Sequence, residues 1–190
     1  MVFPDAPTIL HPVDIPTDSQ AWLDAAATNN LVPKDDPALI PRAWWRANAD
    51  KTVCEGLERS LESLKEILKN DVYDGVLGFS QGAAMAGILA AILERPELYP
   101  PYIENGVPIH PKLQFFVPIS GFCPRDPLLE TILSPSTPKL TTYSLHIMGN
   151  TDVVVLPERS LTLIESCDEA YTRIETHEGD WSPGVIIPSP

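Results

Sequence analysis

The chain has 190 residues, of which 44% are hydrophobic, so it has the size of one domain and can bury a substantial core. Its 26 acidic and 13 basic residues give a formal net charge of -13. This charge argues against a nucleic-acid partner, because binding a phosphate backbone requires clustered lysine and arginine. We therefore expect a single domain over residues 1–190 that does not bind nucleic acid.

The first residues lack the basic start and apolar run of a signal peptide, and no apolar segment approaches the ~20 residues of a membrane span. We expect a soluble, cytoplasmic protein with no membrane partner. The cysteines Cys54, Cys123 and Cys167 are odd in number and lack metal-ligand spacing. They are predicted to be buried thiols in a reducing compartment.

The first half of the chain is predicted to contain loops, two helices and one strand. Proline-rich stretches at residues 4–41 and 96–138 predict ordered loops, and the tryptophans Trp44 and Trp45 between arginines favour a packing anchor over a ligand-stacking site. An apolar stripe predicts a helix over residues 51–69 that ends at Asn70. A buried strand is predicted over residues 75–79 and a helix over residues 81–93.

The second half of the chain continues this alternation. Strands are predicted over residues 113–120 and 143–148, then a helix over residues 158–167 and a last strand over residues 171–176. Strands that alternate with helices indicate an α/β fold with a mainly parallel sheet and helices on both faces.

Ser80 stands between two glycines, in Gly78-Phe79-Ser80-Gln81-Gly82, at the predicted corner between strand and helix. A turn that pushes a serine hydroxyl out of a sheet needs small flanking residues, so this G-x-S-x-G pattern is typical of a nucleophile, although the pattern alone is weak evidence. The backbone N–H of Gln81 would then stabilise an oxyanion at the helix N-terminus. Asp152, in a turn after the strand at residues 143–148, is a candidate acid, with a solvated turn residue as the alternative.

These motifs resemble the fungal family of serine hydrolases, α/β-hydrolases related to the human ovarian-cancer-associated serine hydrolase and the lovastatin-type polyketide thioesterases. The resemblance rests on the following pieces: Asp5-Ala6-Pro7, Arg42-Ala43-Trp44, residues 73–83, Ile119-Ser120-Gly121-Phe122, Gly149-Asn150-Thr151-Asp152 and Pro157-Glu158-Arg159-Ser160. It implies hydrolysis of a small-molecule ester or thioester, including a carrier-bound acyl chain, through an acyl-Ser80 intermediate. Asp152 would orient a histidine base, and no metal or organic cofactor is needed.

The chain departs from the family pattern at both ends. The family's first strand and His-Gly loop would precede Met1, and the position of its catalytic histidine is occupied by Trp181, so we expect a domain truncated at both ends that lacks the first strand and the C-terminal helix. His177, four positions earlier, is the surrogate base to be tested. Two hypotheses stay open: an acyl hydrolase, and a catalytically impaired hydrolase-like protein that retains a binding pocket.

The other histidines are weaker candidates for the base. His11 and His110 are predicted to be solvated loop residues, whereas His146 is predicted to pack inside a strand. The loop over residues 99–113 could line an apolar acyl pocket near the mouth of the site, or it could only cover the sheet.

Overall fold

A computed structural model of the protein describes residues 1–10, 40–133 and 138–178. The chain divides into two compact units, Met1–Ile67 and Leu68–Pro190. The expectation of a single domain over residues 1–190 stays a prediction. His11 and the proline-rich stretch around it lie outside the described residues.

In its described residues, 1–10 and 40–67, the first unit contains short antiparallel strand pairs and most of one helix. Its elements are β1 (Thr8–Ile9), β2 (Arg42–Ala43), β3 (Arg46–Ala47), β4 (Cys54–Glu55) and helix α1 (Leu57–Asn70). Strand β1 pairs with β2, and β3 pairs with β4. Helix α1 ends at Asn70 as predicted but begins six residues after Lys51. The earlier start was wrong because residues 54–55 form a strand and Gly56 has φ of +90°.

The paired tryptophans belong to this unit. Trp45 is only 4% exposed, and the carbonyl of Trp44 accepts a hydrogen bond from the Ser60 hydroxyl on α1. A large aromatic side chain with almost no exposed surface contributes to the packed core. The expectation of a packing anchor is therefore confirmed for Trp45.

The second unit is built on a four-stranded sheet. Its order is β10-β9-β8-β5, and all three neighbouring pairs are parallel. The strands are β5 (Gly75–Phe79), β8 (Phe115–Ile119), β9 (Tyr143–Gly149) and β10 (Thr172–His177), and a short hairpin of β6 (Ile103–Glu104) and β7 (Val107–Pro108) lies between β5 and β8 in the chain. The predicted strands are confirmed to within two residues at each end.

Over residues 68–133 and 138–178, three α-helices accompany the sheet: α2 (Gln81–Glu94), α3 (Pro127–Ile132) and α4 (Pro157–Ile164). Helix α2 packs on β5 and β8, and α4 packs on β9. Every residue of α2 from Ala83 to Leu93 is buried. Its alanines and Gly87 permit this close packing, since a Cβ on Gly87 would lie 2.7 Å from Leu163 on α4. The predicted α/β fold, with a central parallel sheet and flanking helices, is confirmed.

The segment over residues 95–114 lies at the amino ends of the strands. It connects the end of α2 to the start of β8, and the N–H of Gln114 donates to the carbonyl of Asp74, just before β5. Tyr99 and Tyr102 are buried in it. The possibility that this loop lines the mouth of the Ser80 site is therefore wrong, because Ser80 follows the opposite, carboxyl end of β5.

All three cysteines lie within the described residues, and none forms a disulfide. Cys54 and Cys167 are buried as predicted, whereas Cys123 is only half-buried. Burial raises the pKa of Cys123 to about 11 and that of Cys167 to about 12, so both remain protonated thiols near neutral pH. Across the described ranges, no helix combines the length and apolar character needed to cross a bilayer.

Candidate active site

Ser80 lies at a strained corner between β5 and α2. Its backbone has φ of 51° and ψ of -115°, a combination that few non-glycine residues adopt. The surrounding hydrogen bonds hold it there: Ser80 N donates to the carbonyl of Ile119 at 2.8 Å, and the Ser80 carbonyl accepts from Ala83 N and Ala84 N. The strand–turn–helix context predicted for Ser80 is therefore present.

Gly78, the first glycine of the motif, is required by close backbone contact. A Cβ on Gly78 would lie 2.1 Å from the carbonyl oxygen of Gly82 and 2.6 Å from the nitrogen of Ala83. Both obstructing atoms belong to the backbone of α2, so they cannot rotate away as a side chain could. The spacing of the G-x-S-x-G motif thus reflects how tightly the helix turns back on the strand.

Gln81 is the first residue of α2, directly after Ser80. Its N–H therefore belongs to the first turn of a 14-residue helix, where the helix dipole places partial positive charge. An anion forming beside the Ser80 hydroxyl would be stabilised at this end of the helix. The geometry is compatible with the predicted oxyanion donor.

Asp152 lies at the same edge of the sheet as Ser80, in the turn after β9. Its side chain is 6% exposed and accepts three hydrogen bonds. Oδ1 accepts from Val154 N and Val155 N at 2.9 Å each, and Oδ2 accepts from the Ser120 hydroxyl at 2.9 Å. Asp152 is therefore a buried and firmly held carboxylate rather than a solvated turn residue.

Ser120 was missed as a site residue by the sequence reasoning. It follows β8 directly, and β8 is the neighbour of β5, with Phe79 opposite Ile119 in the register. Ser80 and Ser120 therefore occupy adjacent strand ends, and the carboxylate of Asp152 contacts the second of them. The available signal was the position of Ser120 after a strand, within the Ile119-Ser120-Gly121-Phe122 motif.

His177, the candidate base, is the last residue of β10, and its carbonyl accepts a hydrogen bond from Asn150 N at 2.9 Å. Strands β10 and β5 stand at opposite ends of the strand order, so three strand spacings, or about 14 Å, separate them. A general base acts within about 3 Å of its proton donor. His177 would therefore have to move toward β5 to reach Ser80. Trp181 lies outside the described residues.

The two other described histidines are packed into the second unit. His146 on β9 is 3% exposed, and burial lowers its pKa to about 4. This confirms the packed role predicted for it. The prediction that His110 is solvated was wrong: it is 2% exposed, its Nε2 accepts from Tyr73 N at 2.8 Å, and its ring stacks on Tyr73. The His110 ring is buried even though its loop neighbours Pro108 and Pro111 are exposed.

A cavity of about 200 Å³ lies between α4 and β10. Its lining includes Ile164, Cys167 and Ile174. Strand β10 is the strand farthest from β5, and Thr172 at its amino end also contributes to the lining. This cavity therefore does not serve Ser80.

A strained serine between a parallel strand and a buried helix, with a held carboxylate after the second strand along the sheet, defines the class of α/β-hydrolases. The chain belongs to the serine hydrolase (FSH1) family, whose family model matches residues 1–182. The family expected from the sequence motifs is confirmed.

Relatives with esterase names agree with this membership. Esterase OVCA2 of Bos taurus is 34% identical over 181 residues, which cover 88% of this chain and 71% of that protein. Esterase OVCA2 of Homo sapiens is 35% identical over 164 residues, which cover 80% and 64% of the two chains. The solved structure of Zea mays acyl-protein thioesterase 2 is 21% identical, covers 71% of this chain and 62% of that one, and has a TM-score of 0.49. The chain spans about two thirds of the length of the two esterases.

Proposed function

We propose that this protein hydrolyses carboxylic esters or thioesters through an acyl intermediate on Ser80. The observation that carries the proposal is the strained Ser80 corner, with φ of 51°, at the N-terminus of a buried helix. Backbone strain of this kind costs about 1–3 kcal/mol and persists only where the surrounding structure enforces it. The strain directs the hydroxyl away from the sheet, toward a bound acyl carbonyl.

Each step of the reaction is assigned to one group. Ser80 attacks the acyl carbonyl while the base takes its hydroxyl proton, and the N–H of Gln81 stabilises the oxyanion. The base, oriented by Asp152, then returns the proton to the alcohol or thiol that leaves as the ester or thioester bond breaks. His177 remains the proposed base, although about 14 Å separates its strand from that of Ser80. Water then releases the acyl group and restores the serine hydroxyl.

The proposed acyl group is apolar. Val153 and Val154 follow Asp152 directly and are 79% and 73% exposed, although valine is usually buried. The turn that holds the carboxylate thus offers an apolar surface beside the site. A small-molecule ester, an acyl thioester and an acyl chain on a carrier all fit this chemistry, including the thioesters of secondary metabolism.

Cytoplasmic location is part of the proposal, on the ground that no cysteine forms a disulfide.

Labelling by a fluorophosphonate probe tests the nucleophile on the full chain. We expect Ser80→Ala to abolish labelling. Ser144→Ala, which alters a buried serine at the amino end of β9, should retain it. Labelling that survives in Ser80→Ala, or a folded chain that is not labelled at all, would contradict the proposal.

Turnover separates hydrolysis from the alternative of a binding-only protein. Hydrolysis of p-nitrophenyl octanoate and of an octanoyl thioester is compared between the natural chain, Ser80→Ala and His177→Ala. Ser80-dependent turnover supports the hydrolase, and labelling without turnover supports the impaired form. If His177→Ala keeps full turnover, His177 is not the base.

A further inference from the structure

Ser120 is held in one conformation at the end of β8. Its φ is 49°, in the left-handed region, and its N–H donates to the carbonyl of Ile147 at 2.9 Å. The next residue must be glycine, because a Cβ on Gly121 would lie 2.9 Å from Pro118 and 3.2 Å from Ala83. Ser120 is therefore fixed by the sheet on one side and by a tight turn against α2 on the other.

The loop after Ser120 is fastened to helix α4. The guanidinium of Arg159 lies 4.1 Å from the centre of the Phe122 ring, and Cys123 N donates to the Thr162 hydroxyl at 3.0 Å. A cation over an aromatic face and a backbone hydrogen bond together oppose movement of the loop. Ser120 is 2% exposed, and these contacts hold it so that its hydroxyl donates to Asp152.

The two oxygens of Asp152 are held by different parts of the fold. Oδ1 accepts from two N–H groups of its own turn, those of Val154 and Val155. Oδ2 is bound by Ser120, which lies on the strand next to that of Ser80. Among the described residues, the Ser120 hydroxyl is the group that ties the carboxylate to the β5 side of the sheet.

We infer that Ser120 is a positioning residue, whose hydroxyl orients the Asp152 carboxylate toward the reaction centre at Ser80. This inference rests on the proposed function. Ser120 does not react with the substrate, and its hydroxyl remains the donor to Oδ2 throughout the reaction. A hydrogen bond to a charged group that is present in every state of the cycle contributes to rate by preorganising the acid.

A double-mutant cycle tests the inference on the full chain, with the rate of fluorophosphonate labelling of Ser80 and kcat for p-nitrophenyl octanoate as readouts. We expect Ser120→Ala to lower both by about 10- to 100-fold with KM unchanged. In the Asp152→Asn background, Ser120→Ala should have less than about a 2-fold effect. Both substitutions act on the same group, the Asp152 carboxylate, so their effects should not add. Ser120→Cys, which keeps a weaker donor, should fall between serine and alanine.

Ser144→Ala is the matched control, because Ser144 is also a buried serine with a hydroxyl hydrogen bond, 3.2 Å to Thr172 Oγ1. It should lower the melting temperature about as much as Ser120→Ala without slowing labelling. Equal loss of labelling in both variants, additive losses in the cycle, or no effect of Asp152→Asn would each overturn the role of Ser120 while Ser80 still labels. Failure of Ser80 to label in the natural chain would overturn the proposed function and this inference with it.

Discussion

The two ends of the four-stranded sheet satisfy their polar groups in different ways. At the amino ends, buried or half-buried acceptors receive hydrogen bonds from nearby donors. The Glu94 carboxylate accepts from Thr141 and Thr142, and His110 Nε2 accepts from Tyr73 N. At the carboxyl ends, Ser80 and Ser120 hold positive φ values, and Asp152 is buried beside them. The contacts at the amino ends stabilise the fold, whereas two residues at the carboxyl ends keep a strained backbone.

Substitutions at the carboxyl ends should therefore affect rate, whereas those at the amino ends should affect only stability. Strained backbone and buried carboxylates are found most often at functional sites. Residues at the amino ends therefore provide controls of matched chemistry for residues at the carboxyl ends. The aspartate, glycine and valine variants change the same residue type at the two ends, whereas the glutamate variants compare a half-buried and an exposed residue at the amino ends.

The largest difference is expected between two aspartates. Asp152→Asn should lower Ser80-dependent hydrolysis by about 10³–10⁴-fold, because the base loses the acceptor that fixes its orientation. Asp74→Asn should change it by less than about 3-fold, since the Asp74 carboxylate binds only the exposed Gln114 side chain before β8 in the contacts described. Initial rates on p-nitrophenyl octanoate measure both. Comparable losses, with comparable drops in melting temperature, would indicate a folding defect instead.

Two glycines of β5 should differ in stability. Gly78→Ala should lower the free energy of unfolding by about 3 kcal/mol or prevent folding, because its Cβ would meet backbone atoms of Gly82 and Ala83. Gly75→Ala should cost less than about 1 kcal/mol, since its Cβ would meet only the ring of Phe115, which is 45% exposed and can rotate. Urea denaturation followed by circular dichroism gives both values. A larger cost for Gly75→Ala than for Gly78→Ala would show that a Cβ at residue 78 does not meet the backbone of α2.

Glu94 provides a pH-dependent test of the amino ends. Burial opposes its ionisation, but hydrogen bonds from Thr141, Thr142 and Lys112 outweigh burial and hold the pKa of Glu94 below its usual value near 4.5. The carboxylate therefore stabilises the fold above pH 4.5, and this contribution is lost as the pH falls through the lower pKa of the folded state.

Glu94→Gln should lower the free energy of unfolding at pH 7 by about 2 kcal/mol and remove this part of the acid dependence. Unfolding measured from pH 7 to pH 3 would show the two curves converging. Exposed Glu97 supplies the control, and Glu97→Gln should leave the curve unchanged. Curves that stay parallel would exclude Glu94 as the source.

The smallest effect concerns exposed valines. Changing Val153 and Val154 to serine should raise KM for p-nitrophenyl octanoate by about 3- to 10-fold and leave that for the acetyl ester unchanged, because less apolar surface meets the long chain. Val72→Ser, 69% exposed before β5 at the opposite end of the sheet, should change neither. Equal KM shifts for both esters would show that the valines do not contact the acyl chain.

Much of the second unit could be predicted from the sequence. The strand over residues 75–79, the helix after Gln81 and the parallel order follow from short apolar runs that alternate with helical periodicity. The position of Ser80 follows from the G-x-S-x-G motif, in which Gly78 permits the close backbone contact with α2. The start of α1 could not be read in this way, since the apolar stripe continues through Val53 into a segment that pairs as a strand.

By itself, the sequence determined the local elements, the family and the corner at Ser80, because each depends on neighbouring residues and on the period of the apolar pattern. Only the tertiary structure decided which distant groups meet. Ser120 and Asp152 are 32 positions apart and become hydrogen-bonded through parallel register, whereas His177 is assigned to the strand farthest from Ser80. His110 is buried for the same reason: residues 73 and 110 meet only when the loop folds against the amino ends of the strands. Contacts of this kind depend on strand order and register, which no local pattern encodes.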